Sequence, residues 1–363
     1  MKLSMLDRSR TRVGYAEGAA LTHTIERAVA AERLGYHRFW VAEHHAVPGI
    51  ASGAPPVLIG ALGAHTSTIR LGSGGVMLPH HQPLVVAEQF LMLDALYPGR
   101  IDLGLGRTLG FTAPVRRALR QDVDDPDTFA EDIVELRAYL DRTAPVTARP
   151  AATGTIPMFV LATGRGVALA AELGLPVVVG GPVLDSPRLD EVLGAYRQDF
   201  RPSTRAEAPS VAISADILVA DTDAEAADLA LPEAWAMARS RQTGEFGPLE
   251  PVAAIRDQTW TNQLRERVEA HLARTTAGSP QTVRRRLDEL AERTGADELI
   301  AFTSTYDRDA QLASDAALAE IMTGVSDPEL VVSVWAASSS RRPSSCWRGG
   351  ASRASMPVRL SAP

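Results

Sequence analysis

FWVAEHHAVPG, residues 39–49, starts as one kind of structure and ends as another. FWVA is aromatic and β-branched, the composition of a buried strand, and AVPG is loop chemistry. Between them the run stops in an acid and two adjacent histidines. In α/β folds the working groups gather at strand ends, so this strand points to a site at the carboxyl edge of a sheet.

The same alternation extends over nearly the whole chain. Apolar runs predict strands at 2–6, 38–42, 69–78, 101–105, 156–162, 177–179, 211–219 and 298–303. Amphipathic stretches predict helices at 21–34, 55–66, 85–97, 127–140, 167–173, 184–200 and 309–322, with 222–295 mostly helical. Regular strand–helix alternation implies a parallel sheet covered on both faces. Eight such units favour an α/β fold closed into a (β/α)8 TIM barrel with insertions, spanning residues 1–330. An open Rossmann sheet is the structural alternative.

Residues 336–363 differ. They carry five arginines, no acid and no periodicity. Such a composition buries too little surface to offset ordering entropy, so a basic, disordered tail without assigned role is expected.

Bulk properties narrow the function. An apolar share of 45% and a charged share of 22% suit a soluble globular protein. A net charge of −7 argues against nucleic-acid binding. The single cysteine, Cys346, excludes an internal disulfide and suits a reducing compartment. MKLSMLDRSR at the start has no long apolar run, so neither a signal peptide nor a membrane span is expected. A cytoplasmic location follows as the expectation.

The predicted strand ends form a set: Asp7; Glu43, His44 and His45; Gly74 and Gly75; Gly104, Gly106 and Arg107; Thr163, Gly164, Arg165 and Gly166; Thr303 and Ser304. A second histidine doublet, His80-His81, repeats the first. Adjacent residues on a strand face opposite ways, so a doublet grips one ion poorly, and few acids stand nearby. No metal is expected. His80-His81, between Pro79 and Pro83, reads as solvated loop, and His44-His45 has loop histidines satisfied by hydrogen bonds as its bland reading.

Three glycine segments remain. In GLGRTLG, 104–110, Pro114 follows too soon for the long helix of a dinucleotide fingerprint. What is left is bare backbone beside Arg107, suited to a phosphate, or simply a tight turn. In ATGRG, 162–166, Thr163 is placed to cap a helix while Gly164 and Gly166 bare its first N–H groups and Arg165 adds charge. GSPQTV, 278–283, is a rival phosphate site, but Ser279 and Pro280 also describe a plain helix start. In GSGGVMLP, 72–79, either a simple bulge or a strained or cis Gly74–Gly75 bond against a flat ring accounts for the glycines.

Together, AEHH at 42–45, IRLGSGGVMLP at 69–79, VAEQF at 86–90, LYPGRIDLGLGR at 96–107 and the ATGRG…AAELGLP block resemble the bacterial luciferase-like flavin-dependent monooxygenases, particularly members found near natural-product pathways in actinobacteria. The resemblance covers residues 1 to 325. It implies a barrel that holds reduced FMN at its C-terminal mouth, supplied by a separate flavin reductase in a two-component system. By the resemblance, dioxygen adds to the flavin as a C4a-peroxyflavin that oxygenates an aldehyde, a ketone or an aromatic intermediate. His44 matches the family's catalytic histidine, with His45 beside it. Gly74 and Gly75 match the family's cis bond beside the isoalloxazine. Gly106, Arg107, Thr163, Gly164, Arg165 and Gly166 match its phosphate-side positions. Gly106 replaces the reactive cysteine of light-emitting members, so no bioluminescence is expected. Ala162-Thr163 replaces their acid–serine pair. The family usually forms homodimers through the helices here at 55–66 and 85–97. F420-dependent hydride transfer on the same barrel and a non-catalytic FMN carrier are the alternative readings.

Overall fold

Eight parallel strands close on one another in the computed structural model, which describes residues 1–110 and 112–324. In chain order the strands are β1 (Lys2–Asp7), β2 (Arg38–Val41), β3 (Arg70–Met77), β4 (Ile101–Gly106), β5 (Met158–Ala162), β6 (Val177–Gly180), β7 (Val211–Val219), the short β8 (Thr276–Gly278) and β9 (Glu298–Phe302). β1 to β7 pair in sequence. β9 then closes the ring, with Ala212 opposite Glu298 on one side and Lys2 opposite Glu298 on the other. All eight predicted strands are present and close as a barrel rather than an open sheet. β8 is an addition: it extends the upper part of β7, from Ile217 to Val219, beyond the ring.

The helices are α1 (Ala19–Arg33), α2 (Pro55–His65), α3 (Pro83–Leu96), α4 (Ala113–Ala118), α5 (Phe129–Leu140), α6 (Arg165–Leu173), α7 (Leu189–Asp199), α8 (Asp223–Thr243), α9 (Val252–Arg256), α10 (Asn262–Arg274), α11 (Pro280–Thr294) and α12 (Arg308–Thr323). The predicted helix at 184–200 is broken. Ser186 is extended, as a residue before proline tends to be, and α7 restarts beyond Pro187. The basic tail at 336–363 lies outside the described residues.

β2 shows how the layers form. All four of its residues are buried. Phe39 and Val41 face outward into the large core beneath the helices, whereas Trp40 faces inward. Inside the barrel Trp40 meets Phe159 edge-on at 5.0 Å, among Val178, Ala212 and Ile300. Each fully buried side chain of this size contributes about 1.5–3 kcal/mol. The barrel's lower end is polar but paired: Arg38 donates to Glu298 and Asp102, both at 2.7 Å, and Trp40 Nε1 donates to Asp102 at 3.2 Å.

The glycines of β3 and β4 are a packing device. The register slips between Ser73 and Val76, and the Gly74–Gly75 peptide is cis. A Cβ on Gly75 would sit 2.8 Å from the Gly104 carbonyl oxygen, so the strands approach too closely for any side chain there. Between β7 and β9, helices α8 to α10 form a satellite core around Trp235, Ile255, Leu264 and Val268.

Candidate active site

At the C-terminal mouth, the loop after β1 fixes the geometry. Its sequence RSRTR, 8–12, places three arginines on alternate residues, and all turn inward. Arg10 Nε donates to Glu233 of α8 at 2.9 Å, and its guanidinium also binds the Gly49 carbonyl. Arg12 donates to Gln311 at 2.6 Å and to the Thr305 carbonyl at 2.9 Å. Arg8 meets Glu233 at 2.8 Å and Ser304 at 3.1 Å. The loop after β1 thus ties the loop after β2, through Gly49, to α8 and to the chain beyond β9.

His44 sits in the loop after β2, its N–H donating to the Ser52 carbonyl at 2.9 Å. Burial, with the positive charges of Arg8 and Arg10, pushes its imidazole down to about 4. His44 is therefore neutral at neutral pH, and protonating it is costly. His45 behaves differently. Its Nε2 lies 2.6 Å from Glu43 Oε1, and His81 Nε2 lies 2.7 Å from the same oxygen. Glu43 Oε2 accepts the Met77 N–H at 2.9 Å. Burial alone would raise the Glu43 carboxyl, but His81, Met77 and His45 together hold it below the usual range.

This cluster corrects one expectation and shows a grouping that the sequence did not offer. His81 is not merely solvated loop, because Glu43 ties it down. The metal reading treated each doublet by itself, whereas the fold takes one histidine from each: the donor atoms of Glu43, His45 and His81 lie within 4.8 Å of one another. Sequence reasoning named Glu43 and His81 without pairing them, and it missed the arginine row. The partners are far apart in sequence, and only adjacency of β2 and β3 could have paired them.

The remaining candidates follow the strand order. β3, carrying Gly74 and Gly75, lies between β2 and β4. Gly106 ends β4, and Arg107 follows, about half exposed and paired with Asp127. β5 lies next, with Leu105 opposite Val160, so Arg107 and Thr163 leave neighbouring strand ends. Thr163 does not cap α6, contrary to expectation. Gly164 is the N-cap residue, with a φ of +60° that glycine adopts without penalty, and it turns the chain before a side chain can cap. A Cβ on Gly166 would lie 2.8 Å from the Ala162 Cβ, so this glycine lets α6 approach β5. Arg165 is exposed. The rival at 278–283 is an ordinary helix start, with Ser279 accepting from the Thr282 N–H at 3.4 Å and Pro280 in the first turn.

A cavity of about 700 Å³ opens on the other side of the same mouth. Its walls include Arg8, Phe302, Ser214 and Asp216 of β7, Met237 of α8 and His271 of α10. None of the sequence-predicted site residues lines it. Arg8 links the two sides, since its charge also acts on His44. Among the described residues, no helix is long and apolar enough to cross a membrane.

A family model described as luciferase-like monooxygenase matches residues 1–298. The chain belongs to the luciferase-like monooxygenase family. This luciferase-like monooxygenase is 40% identical over 316 residues to a protein named luciferase-like monooxygenase from Escherichia coli (strain K12), covering 86% of this chain and 94% of the relative. The crystal structure of apo-MsnO8 superposes with a TM-score of 0.80 at 36% identity, covering 90% and 99% of the two chains. The oxygenating constituent of 3,6-diketocamphane monooxygenase from Pseudomonas putida, solved in complex with FMN, shares the fold at a TM-score of 0.68 and 18% identity, over 90% and 99% of the chains. The protein is accordingly an enzyme of the oxidoreductase class.

Proposed function

We propose that this luciferase-like monooxygenase uses reduced FMN and dioxygen to oxygenate a small organic substrate, such as an aldehyde, ketone or aromatic natural-product intermediate. Reduced flavin comes from a separate reductase. Residues 1–330 act as one barrel, in the cytoplasm and without nucleic-acid partners. The observation that carries this reading is the run of neighbouring strand ends from β2 to β5. It offers a buried neutral imidazole at one end, exposed guanidinium groups at the other and glycine backbone between.

The residues present fit a flavin phosphate. Arg107, after β4, and Arg165, the first residue of α6, are exposed cations at neighbouring strand ends, and a Cβ on Gly164 would meet nothing within 4 Å, leaving open backbone beside them. When bound, reduced FMN supplies the electrons that activate dioxygen. Arg107, Thr163, Gly164, Arg165 and Gly166 would hold the phosphate, and the backbone at Gly74, Gly75 and Gly106 would lie beside the ring. His44 holds or passes a proton at its imidazole, and His45 is oriented by Glu43. A homodimer through α2 and α3 would cover Val57, Val85, Met92 and Leu96, all large apolar residues exposed on those helices.

The test is to mix the purified protein with reduced FMN in air and follow flavin fluorescence, oxygen uptake and hydrogen peroxide. Slowed peroxide release relative to free flavin supports the reading. Failure to bind FMN, with binding and hydride transfer from reduced F420 instead, overturns it in favour of the deazaflavin alternative.

A further inference from the structure

The cavity beneath α8, α10 and α11 is used by nothing described so far. Its body is apolar, with Leu184, Met237, Leu290 and Phe302 in its walls. Its volume suits a small organic molecule. Its charge is uneven. Arg241, Arg274, Arg286 and Arg293 stand around it, in a chain whose net charge is −7.

Two of the four acids in its walls, Asp185, Asp216, Glu233 and Glu289, are paired with arginine. Glu233 pairs with Arg8 and Arg10, and Asp185 with Arg274 at 3.4 Å. Asp216 faces His271 at 3.7 Å, and burial raises its carboxyl. Arg241 is different: among the described residues it makes no hydrogen bond or ion pair, yet it stands in the last turn of α8 against the cavity. At the floor, Arg8 Nε is buried without a hydrogen-bond partner, and so is His271 Nε2, 3.7 Å from Asp216. Buried donors left unpaired in a free cavity are the groups a ligand oxygen satisfies.

We infer that this cavity seats the organic substrate and that the substrate is a small carboxylic acid with an apolar body, its carboxylate taken by Arg241. The inference rests on the monooxygenase reading above. It orients the molecule: the acid lies under α8 and the oxidisable end reaches the floor, where Arg8 stands between cavity and His44.

Binding to flavin-free protein tests the inference separately from the flavin chemistry. Octanoate and octanamide share an apolar chain and differ in charge. By calorimetry, octanoate should bind at least about tenfold more tightly than octanamide, and Arg241→Ala should remove most of that preference without changing octanamide or FMN affinity. Met237→Trp, which fills the cavity, should weaken both probes. Equal affinities for the two probes, an equal loss of both in Arg241→Ala, or octanoate binding untouched by Met237→Trp would overturn the inference. So would competition between FMN and octanoate, because the cavity would then be the flavin seat. Loss of FMN binding alone overturns the flavin reading and leaves the acid site standing.

Discussion

His81 Nε2 and Glu43 Oε1 lie 2.7 Å apart across the ends of β3 and β2, and His45 shares the same oxygen at 2.6 Å. One buried carboxylate therefore ties together the two loops between which the glycine pair of β3 lies. Because the Glu43 carboxyl is held below its ordinary value of 4.5, its contribution to stability is complete above that value. It is lost as pH falls through the depressed one. Glu43→Gln should cost about 1–3 kcal/mol in urea unfolding at pH 7. That difference should shrink steadily below pH 4.5. A gap between variant and parent that is independent of pH would contradict the charged role.

His44 should not titrate near neutrality. Its pKa of about 4 predicts a flat imidazole chemical shift between pH 5.5 and 8, checked by NMR. Arg8→Ala removes one of the positive charges that lower it and should move the midpoint upward. The unfolded chain takes up this proton first, so His44 lowers stability progressively as pH falls from 6.5 to 4. His44→Ala should leave FMN affinity within about twofold while uncoupling oxygen uptake to hydrogen peroxide.

The barrel was legible because its signal is local: Phe39, Trp40 and Val41 announce a strand by composition alone. β8 escaped because three residues, Thr276 to Gly278, carry no period. The break before α7 was readable in Pro187 but was overridden by the apolar pattern around it. The site divides in the same way. His44, Arg107 and the 163–166 turn stand out as strand-end residues. Thr163 looks like a cap until the positive φ of Gly164 takes the position. Glu43–His81 and Arg10–Glu233 join residues distant in sequence, so only the closed ring makes them partners.

Arg27 is the clearest test of the fold's polar framework. It makes two parallel 2.7 Å hydrogen bonds to Asp315 and a third, of 2.9 Å, to Asp7 at the end of β1. All three groups are buried. Arg27→Leu leaves two carboxylates in the interior without their cation, and about 3–5 kcal/mol of stability should be lost. Replacing both acids along with it, as Asp7→Asn and Asp315→Asn, should recover part of that loss. Equilibrium urea unfolding of the parent and the two variants measures both quantities.

Arg107 pairs with Asp127, and both side chains are about half exposed. A phosphate arriving at the end of β4 must therefore compete with a carboxylate already in place. Exposed pairs of this kind are weak and screened by salt, so the competition is mild. Asp127→Asn should release Arg107 and tighten FMN by about two- to threefold, while leaving riboflavin, which lacks the phosphate, unchanged. Arg107→Ala should act in the opposite direction, weakening FMN by about tenfold or more and riboflavin hardly at all. Fluorescence titrations with the two flavins at low and moderate salt decide the matter. If Arg107→Ala weakens both flavins equally, Arg107 supports the loop after β4 and does not receive the phosphate.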